Sequence, residues 1–261
     1  MAEPDVVTAA PAGPPPEALT LDGVTMRFGG IVAVRDVTAT VQAGQRWAVI
    51  GPNGAGKTTL FRIISGEQSP TQGRIGLFGR DVTGQSPTRR AREGLGRTYQ
   101  VTNVFLGLTV RENVAIAVRA QRRGRLTPWW PVRFSGPLGE QVDHTLERVG
   151  LLRRRHLPAR ELSHGEQRQL ELALALAGSP RLLLLDEPAA GLSAAERGLM
   201  RELIRALPPE TTLVLIEHDM TLALDLVDLV MCMDNGVPIA TGTPEEIRSN
   251  EQVQAVYLKS D

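Results

Sequence analysis

Residues 51–59 read GPNGAGKTT, and this stretch decides the fold. The apolar run WAVI (47–50) precedes it, and a helical pattern that ends at Gly66 follows it. A strand, a G-x-x-x-x-G-K-[ST] loop and a helix in this order are typical of a loop that binds phosphate groups. Its glycines let backbone N–H groups point inward at phosphate oxygens, Lys57 brings a point charge, and the Thr58 hydroxyl suits Mg²⁺. The predicted nucleotide-binding residues of the loop are Gly51, Pro52, Asn53, Gly54, Ala55, Gly56, Lys57, Thr58 and Thr59.

The composition is that of a globular chain large enough to build a substantial core. Its 261 residues fit one large α/β domain or a domain with an inserted subdomain. The formal net charge is zero, which speaks against a nucleic-acid partner, since nucleic-acid binders usually carry a basic excess. Arg occurs 27 times and Lys only at Lys57 and Lys259. A lysine kept in the loop therefore marks a position that needs a compact ammonium group.

Two further features indicate a chain that folds in a reducing compartment. Cys232, the only cysteine, lies in the apolar run VMCMD and is expected to be a buried strand residue without an internal disulfide. Glu3 and Asp5 occupy a region where a secretory signal needs Lys or Arg. Apolar runs such as LLLL (182–185) are far shorter than the ~20 residues that span a membrane. We therefore expect any membrane contact to go through a partner.

The order of patterns along the chain predicts an α/β fold. Residues 1–18 are rich in Pro and Ala and are expected to be disordered, and the folded domain is expected to cover 19–261. Strand patterns dominate from residue 19, an Arg-rich helical block spans about 88–160, and strands then alternate with helices. This alternation predicts a mainly parallel sheet, covered on both faces, with the helical block inserted into it.

Two local signals define the end of the domain. Asn235 and Gly236 between apolar runs predict a hairpin. Thr243 and Glu246 form a capping box with Pro at the first helical position, which opens a last helix at about 244–258.

Polar side chains follow two apolar strands of the predicted sheet. RLLLLDEP (181–188) ends in Asp186 and Glu187, and TLVLIEHDM (212–220) carries His218 at its end. Because parallel strands place their carboxyl ends at one edge of the sheet, these groups are expected to lie beside the glycine-rich loop. Asp186 is then placed to hold Mg²⁺, Glu187 to act as a general base on water, and His218 to bind a γ-phosphate or the attacking water.

The stretch LSHGEQRQLELALALAG (162–178) has two interpretations. Ser163 and Glu166 form a capping box before an apolar-rich helical run, which makes this a helix start. A Ser beside Gly165 at a helix N-terminus is also typical of a phosphate site. The local sequence does not decide between a helix cap and a nucleotide contact.

Two other side chains have ordinary structural explanations. Phe28 precedes the glycine-rich loop and is either a core aromatic residue or a platform on which a base stacks. Gln100, in GRTYQ, is on its own an ordinary surface residue. The loop that contains Trp129 and Trp130 is anchored by these side chains or contacts a partner.

Taken together, Phe28, GPNGAGKT, Gln100, LSHGEQ, LLLLDEP and His218 occur in an order that closely resembles an ABC transporter ATP-binding subunit. The resemblance covers residues 19–257 and is particularly close to the branched-chain (hydrophobic) amino acid uptake subfamily. It implies a P-loop NTPase (RecA-like) core with an N-terminal antiparallel β subdomain and an inserted α-helical subdomain. It also implies an ATP hydrolase that uses Mg²⁺ and energises transport through a separate permease.

The resemblance further implies roles for individual residues. Phe28 would stack on adenine, and Gln100 would contact Mg²⁺ or water and sense the membrane subunit. Ser163, Gly165 and Glu166 would close on ATP bound by a second ATP-binding subunit, identical or paralogous. The helical block would receive the permease, which places the subunit at the cytoplasmic face of the plasma membrane as a peripheral protein.

Two segments depart from the family pattern, the signature and the loop that follows Glu187. The usual signature is Leu-Ser-Gly-Gly-Gln, and His164 and Glu166 replace its first Gly and its Gln. Ser193 stands where most relatives carry Asp, in a loop that connects the two sites of a dimer.

Other functions remain open at this stage. The resemblance is also compatible with an importer for urea or amides, with an exporter, and with a soluble ABC ATPase that acts on ribosomes or DNA. The last class usually has two fused nucleotide domains or long coiled-coil insertions, whereas these residues are expected to form one domain with a helical block at about 88–160. Copurification with a permease or with ribosomes would separate these classes.

Overall fold

A computed structural model of the protein describes residues 16–98, 104–121, 134 and 136–258. The strands in this part of the chain are β1 (Glu17–Phe28), β2 (Ile31–Gln42), β3 (Arg46–Ile50), β4 (Gln72–Leu77), β5 (Arg80–Asp81), β6 (Leu95–Arg97), β7 (Leu182–Asp186), β8 (Thr212–Ile216), β9 (Leu229–Asp234) and β10 (Val237–Gly242). The helices are α1 (Lys57–Ser65), α2 (Pro87–Arg92), α3 (Val110–Gln121), α4 (Pro137–Arg148), α5 (His164–Leu176), α6 (Ala194–Arg205), α7 (Met220–Leu226), α8 (Pro244–Ser249) and α9 (Glu251–Leu258).

The central sheet has six strands in the order β10-β9-β3-β8-β7-β6. All its pairs are parallel except β9 with β10. Every residue of β7 and of β8 is buried, as expected for central strands covered on both faces. Cys232 lies buried in β9, as predicted. The mainly parallel sheet predicted from the alternation of strands and helices is therefore confirmed.

A second sheet comes from the first part of the chain. Its four strands lie in the order β2-β1-β4-β5 and are antiparallel. This confirms the antiparallel β subdomain that the family resemblance implies. Strand β1 begins at Glu17, so the predicted tail boundary at residue 18 is two residues too late. Residues 1–15 lie outside the described part of the chain.

The helical block is smaller than the predicted span of 88–160. Strand β6 falls inside that span but pairs with β7 in the central sheet, so the inserted helices begin after it. Helices α3 and α4 pack on each other and on α5 through buried residues that include Val114, Val118, Val142 and Leu146. Trp129 and Trp130 lie outside the described residues.

The C-terminal region follows the prediction in its turns but not in its last helix. Asn235 (φ 47°) and Gly236 (φ 81°) form the β9–β10 turn, and Thr243 and Glu246 form the capping box. The single helix predicted at 244–258 is instead α8 and α9, separated at Asn250. The backbone leaves the helical region there (ψ 116°), and the Asn250 side chain accepts hydrogen bonds from the first-turn amides of α9.

Within the described residues, no helix is both long and apolar enough to cross a membrane.

Candidate nucleotide-binding site

The glycine-rich loop joins the end of β3 to α1 and needs glycine at two crowded positions. Gly51 has φ 142° and Gly56 has φ 97°, values that L side chains rarely adopt. A Cβ atom on Gly51 would lie 2.1 Å from the carbonyl oxygen of Met233, and one on Gly56 would lie 2.4 Å from that of Ala33. The loop is thus wedged between β9 and β2, and any side chain at either position would displace it.

Lys57 folds back over the start of the loop. Its Nζ donates hydrogen bonds to the carbonyl oxygens of Gly51 (2.6 Å) and Pro52 (2.8 Å), and the side chain is almost fully buried. Burial lowers the pKa of the Lys57 ammonium, and the nearby carboxylate of Glu187 opposes that shift. The Lys57 ammonium thus lies against the first two residues of the loop.

The N-terminus of α1 opens into a cavity of about 410 Å³. No described side chain caps this helix at Gly56, so its first-turn amides are available to an anion. The residues that line the cavity are Ala33, Asn53, Gly54, Ala55, Gly56, Lys57, Thr58, Thr59, Glu187 and His218. The structure thus brings the loop together with two of the predicted strand-end residues.

Glu187 and His218 face each other at the tips of neighbouring parallel strands. Asp186, the last residue of β7, pairs with Ile216 of β8, so the residues that follow both strands emerge side by side. Nε2 of His218 lies 2.6 Å from Oε1 of Glu187. Glu187 has φ 49°, and its amide donates to the carbonyl oxygen of Ile216 at 3.0 Å. This left-handed turn, which is costly for a non-glycine residue, directs the carboxylate away from the strand axis.

Asp186 is a buried carboxylate with little local compensation. Its side chain is 1% exposed, and neither oxygen makes a close hydrogen bond to the described residues. The guanidinium of Arg97 lies 3.5 Å from one oxygen. Burial raises the pKa of the Asp186 carboxyl, and Arg97 opposes that shift. A buried carboxylate whose guanidinium partner lies 3.5 Å away could also hold a cation such as Mg²⁺.

A divalent ion at this place would need further oxygen ligands. The described residues contain no group of three or more His, Cys, Asp or Glu side chains arranged around a metal. Mg²⁺ commonly takes one or two carboxylates and completes its shell with phosphates and water. Asp186 with the Thr58 hydroxyl fits that pattern, whereas a site made by protein ligands alone does not.

Phe28 and Gln100 are not placed in the cavity by the described structure. Phe28 ends β1 opposite Ile31, and the two residues are 45% and 71% exposed. The interpretation of Phe28 as a core aromatic residue is therefore wrong, whereas the predicted stacking on adenine stays a prediction. Gln100 lies outside the described residues.

Ser163 and Glu166 form the predicted capping box at the start of α5. The Glu166 amide donates to Ser163 Oγ at 3.2 Å, and the Ser163 amide donates to Glu166 Oε2 at 3.0 Å. These residues and Gly165 line a second cleft, of about 660 Å³. Its lining residues include none of those around the glycine-rich loop. Within one chain, the two predicted halves of a nucleotide site thus line different clefts.

The two departures from the family signature lie next to each other. Ser193 caps α6 in a capping box with Glu196, and the Glu196 carboxyl group also lies against Gly165, where a Cβ atom would meet it. Hydrogen bonds from Ser193, with further contributions from Gly165 and His164, lower the pKa of Glu196. A Cβ atom on Gly191 would lie 3.1 Å from Nε2 of His164. His164 therefore packs against the loop of its own chain that follows Glu187.

Two further residues support the site and were missed in the sequence. Glu217 is buried between His218 and β8, and its Oε1 accepts from the Ala189 amide at 3.0 Å. Its position in the polar end LIEHDM was a usable signal. The Tyr257 hydroxyl accepts from the Gly51 amide at 2.9 Å. No local pattern connects Tyr257 with Gly51, because the two lie 206 positions apart in the sequence.

Comparison with known proteins gives a consistent family match. Residues 34–190 match the family model described as ABC transporter, and residues 237–258 match that described as branched-chain amino acid ATP-binding cassette transporter.

Curated relatives align over nearly their whole length. The high-affinity branched-chain amino acid transport ATP-binding protein LivG of Salmonella typhimurium is 40% identical over 254 residues, which cover 92% of this chain and 97% of LivG. The high-affinity branched-chain amino acid transport ATP-binding protein BraF of Pseudomonas aeruginosa is 40% identical over 250 residues, which cover 92% of this chain and 97% of BraF.

Solved structures show the same fold. The ADP conformation of MJ1267, an ATP-binding cassette of an ABC transporter, superposes with a TM-score of 0.84 at 27% identity, covering 93% of this chain and 98% of that one. A nucleotide-free ATP-binding cassette from an ABC transporter superposes with a TM-score of 0.80 at 29% identity, covering 92% of this chain and 98% of that one.

Proposed function

The chain belongs to the ABC transporter family of ATP-binding proteins, and we propose that it hydrolyses ATP to drive an importer of branched-chain amino acids or related small solutes. The contact that carries the proposal is the one between His218 and Glu187, 2.6 Å apart above the glycine-rich loop. It places a base and its partner on the cavity into which the α1 N-terminus opens.

The loop and α1 account for binding of the triphosphate. The open amides of the first helical turn and the Lys57 ammonium would hold the β- and γ-phosphates. The Thr58 hydroxyl and the Asp186 carboxylate would hold Mg²⁺, which neutralises phosphate charge when bound. Gln100 would join this site and Phe28 would stack on adenine, as the family resemblance implies.

Hydrolysis would use the two strand-end residues. Glu187 accepts the proton of the water that attacks the γ-phosphorus, and the bond from that phosphorus to the β–γ bridging oxygen breaks. His218 donates to Glu187 and so keeps the carboxylate oriented. Lys57 and the loop amides stabilise the negative charge on the departing ADP.

Transport requires contacts outside this chain. In our proposal, Ser163, Gly165 and Glu166 close on ATP bound by a second ATP-binding subunit. The separation of the two cavities within one chain supports this arrangement. The helical block would bind the permease, so that the subunit acts as a peripheral protein at the cytoplasmic face of the plasma membrane. The branched-chain amino acid assignment rests on the transport function named for the relatives and on the C-terminal family match.

The proposal is tested with Glu187→Gln in the full-length chain. The amide keeps the shape but cannot accept the proton, so ATP binding is expected to persist while turnover falls by a factor of about 10² to 10⁴. Reconstitution with the permease partners should then give ATP-dependent uptake of labelled leucine by the wild type only. Normal turnover in the variant would remove Glu187 as the base, and uptake of urea instead of leucine would overturn the solute assignment.

A further inference from the structure

We infer that Tyr257 is a positioning residue of the nucleotide site, and that its hydroxyl fixes the start of the glycine-rich loop through the Gly51 amide. The inference rests on the proposed function in one respect, since it requires the loop to bind a nucleotide.

Gly51 is the point at which the sheet stops supporting the backbone. The parallel pairing of β3 with β9 ends at Ile50, which lies opposite Cys232. The next amide, that of Gly51, donates to the Tyr257 hydroxyl at 2.9 Å. Because an unpaired buried amide is costly, the hydroxyl takes the place of a strand neighbour at the position where the ladder ends.

Gly51 is held from two sides. Its amide donates a hydrogen bond to the Tyr257 hydroxyl, and its carbonyl oxygen accepts one from Lys57 Nζ at 2.6 Å. The residue has no room to adjust, because a Cβ atom there would lie 2.1 Å from the carbonyl oxygen of Met233. A shift of Gly51 would therefore move an acceptor of the Lys57 ammonium.

The other end of the loop has a separate anchor. The Gly236 amide, in the β9–β10 turn, donates to the carbonyl oxygen of Ala55 at 3.1 Å, and the Arg35 amide donates to the carbonyl oxygen of Gly236 at 2.8 Å. The turn and β2 thus support the second half of the loop through these backbone hydrogen bonds. Tyr257 supplies the corresponding contact at the first half, and it does so with a side chain.

Helix α9 presents this side chain from a fixed position. Asn250 caps the helix, Val253 is 1% exposed, and the Tyr257 ring packs against the main hydrophobic core. Burial raises the pKa of the Tyr257 hydroxyl to about 12, so the group remains a neutral phenol at physiological pH. The helix lies within residues 237–258, which match the branched-chain family model. That C-terminal segment thus contacts the loop directly.

The test compares two variants, each of which removes a side-chain hydroxyl that accepts a hydrogen bond from a glycine amide. Tyr257→Phe removes the acceptor of the Gly51 amide, whereas Thr212→Val removes that of the Gly44 amide, bound at 3.0 Å. Thr212 is buried at the start of β8, so the control leaves a comparable defect at the opposite end of the same sheet. Full-length proteins are titrated with ATP in the presence of Mg²⁺, well below their melting temperatures.

The expected result is ATP binding about fivefold weaker for Tyr257→Phe and unchanged within about twofold for Thr212→Val. The increase in melting temperature on adding ATP should shrink for Tyr257→Phe only, which a merely stabilising hydroxyl would not produce. Wild-type affinity in Tyr257→Phe, or an equal loss in both variants, would overturn the inference. Absence of ATP binding by the wild-type protein would instead contradict the proposed function.

Discussion

Nε2 of His218 lies 2.6 Å from Oε1 of Glu187, at the ends of two neighbouring parallel strands. The imidazole is 45% exposed and the carboxylate 18% exposed, so the pair borders the cavity and is not part of the core. The contact orients the carboxylate toward the loop without closing access to it.

The first prediction concerns this pair. His218→Ala removes the partner that orients Glu187, and steady-state turnover is expected to fall by about 10²-fold or more, whereas ATP affinity should change little. His144→Ala is the matched control, because His144 is exposed and lies on α4, away from the cavity. Retention of more than half of the wild-type turnover in His218→Ala would show that the contact has no role in the chemistry.

The second prediction uses the buried carboxylate next to His218. Burial raises the pKa of Glu217 to about 7, from an ordinary value of 4.5. Between these values the folded protein binds more protons than the unfolded chain, so this group's contribution to stability is present below pH 4.5 and is lost as the pH rises through 7. Glu217→Gln keeps an acceptor for the Ala189 amide but cannot ionise. Its free energy of unfolding relative to the wild type should therefore increase by roughly 3 kcal/mol between about pH 4.5 and 7.5.

Denaturant unfolding at several pH values measures this difference. Asp186 has a pKa shifted in the same direction, but it is present in both proteins and cancels in the comparison. Glu210→Gln, which neutralises an exposed carboxylate, should follow the wild type. Parallel pH profiles for Glu217→Gln and the wild type would mean that Glu217 is not protonated in the folded state.

The third prediction concerns Ser193, which differs from the aspartate of most relatives. Ser193 Oγ accepts from the Glu196 amide at 3.4 Å and caps α6. Ser193→Ala should lower the free energy of unfolding by about 1 kcal/mol, because an orphan helix amide loses its acceptor. Ser193→Asp should leave it within a few tenths of a kcal/mol, since Asp caps as well as Ser. Thermal or denaturant unfolding distinguishes the two variants, and equal losses would argue against a capping role.

The fold and the chemistry of the site were predictable to different extents. The glycine-rich loop between a strand and a helix, and the β9–β10 turn, each have a short-range pattern with a physical cause, and the structure has both elements. Glu187 and His218 line the cavity at the loop, and Asp186 ends β7. Tyr257 has no such pattern, because its partner Gly51 becomes a neighbour only when the sheet forms.

Two other results also depended on tertiary structure. The break between α8 and α9 was missed because an Asn inside a helical pattern costs little locally and becomes a cap only in its folded context. The sequence pattern assigns no role to His164, and its contact with the loop around Gly191 forms only because the start of α5 lies near the start of α6 in the folded chain.

The last prediction addresses the two interpretations of the α5 N-terminus. Ser163 caps the helix in its own chain, yet its cleft shares no lining residue with the cavity around Lys57. In the proposed dimer, Ser163→Arg should therefore leave ATP binding by the isolated subunit within about twofold while abolishing hydrolysis that depends on subunit association. Loss of the cap alone should cost about 1 kcal/mol of stability, too little to unfold a domain of ordinary stability. Ser163→Thr keeps both the hydroxyl and the cap and should retain most of the activity. If Ser163→Arg reduces ATP binding and hydrolysis to the same extent, the α5 N-terminus acts on the nucleotide of its own chain and the site is not shared.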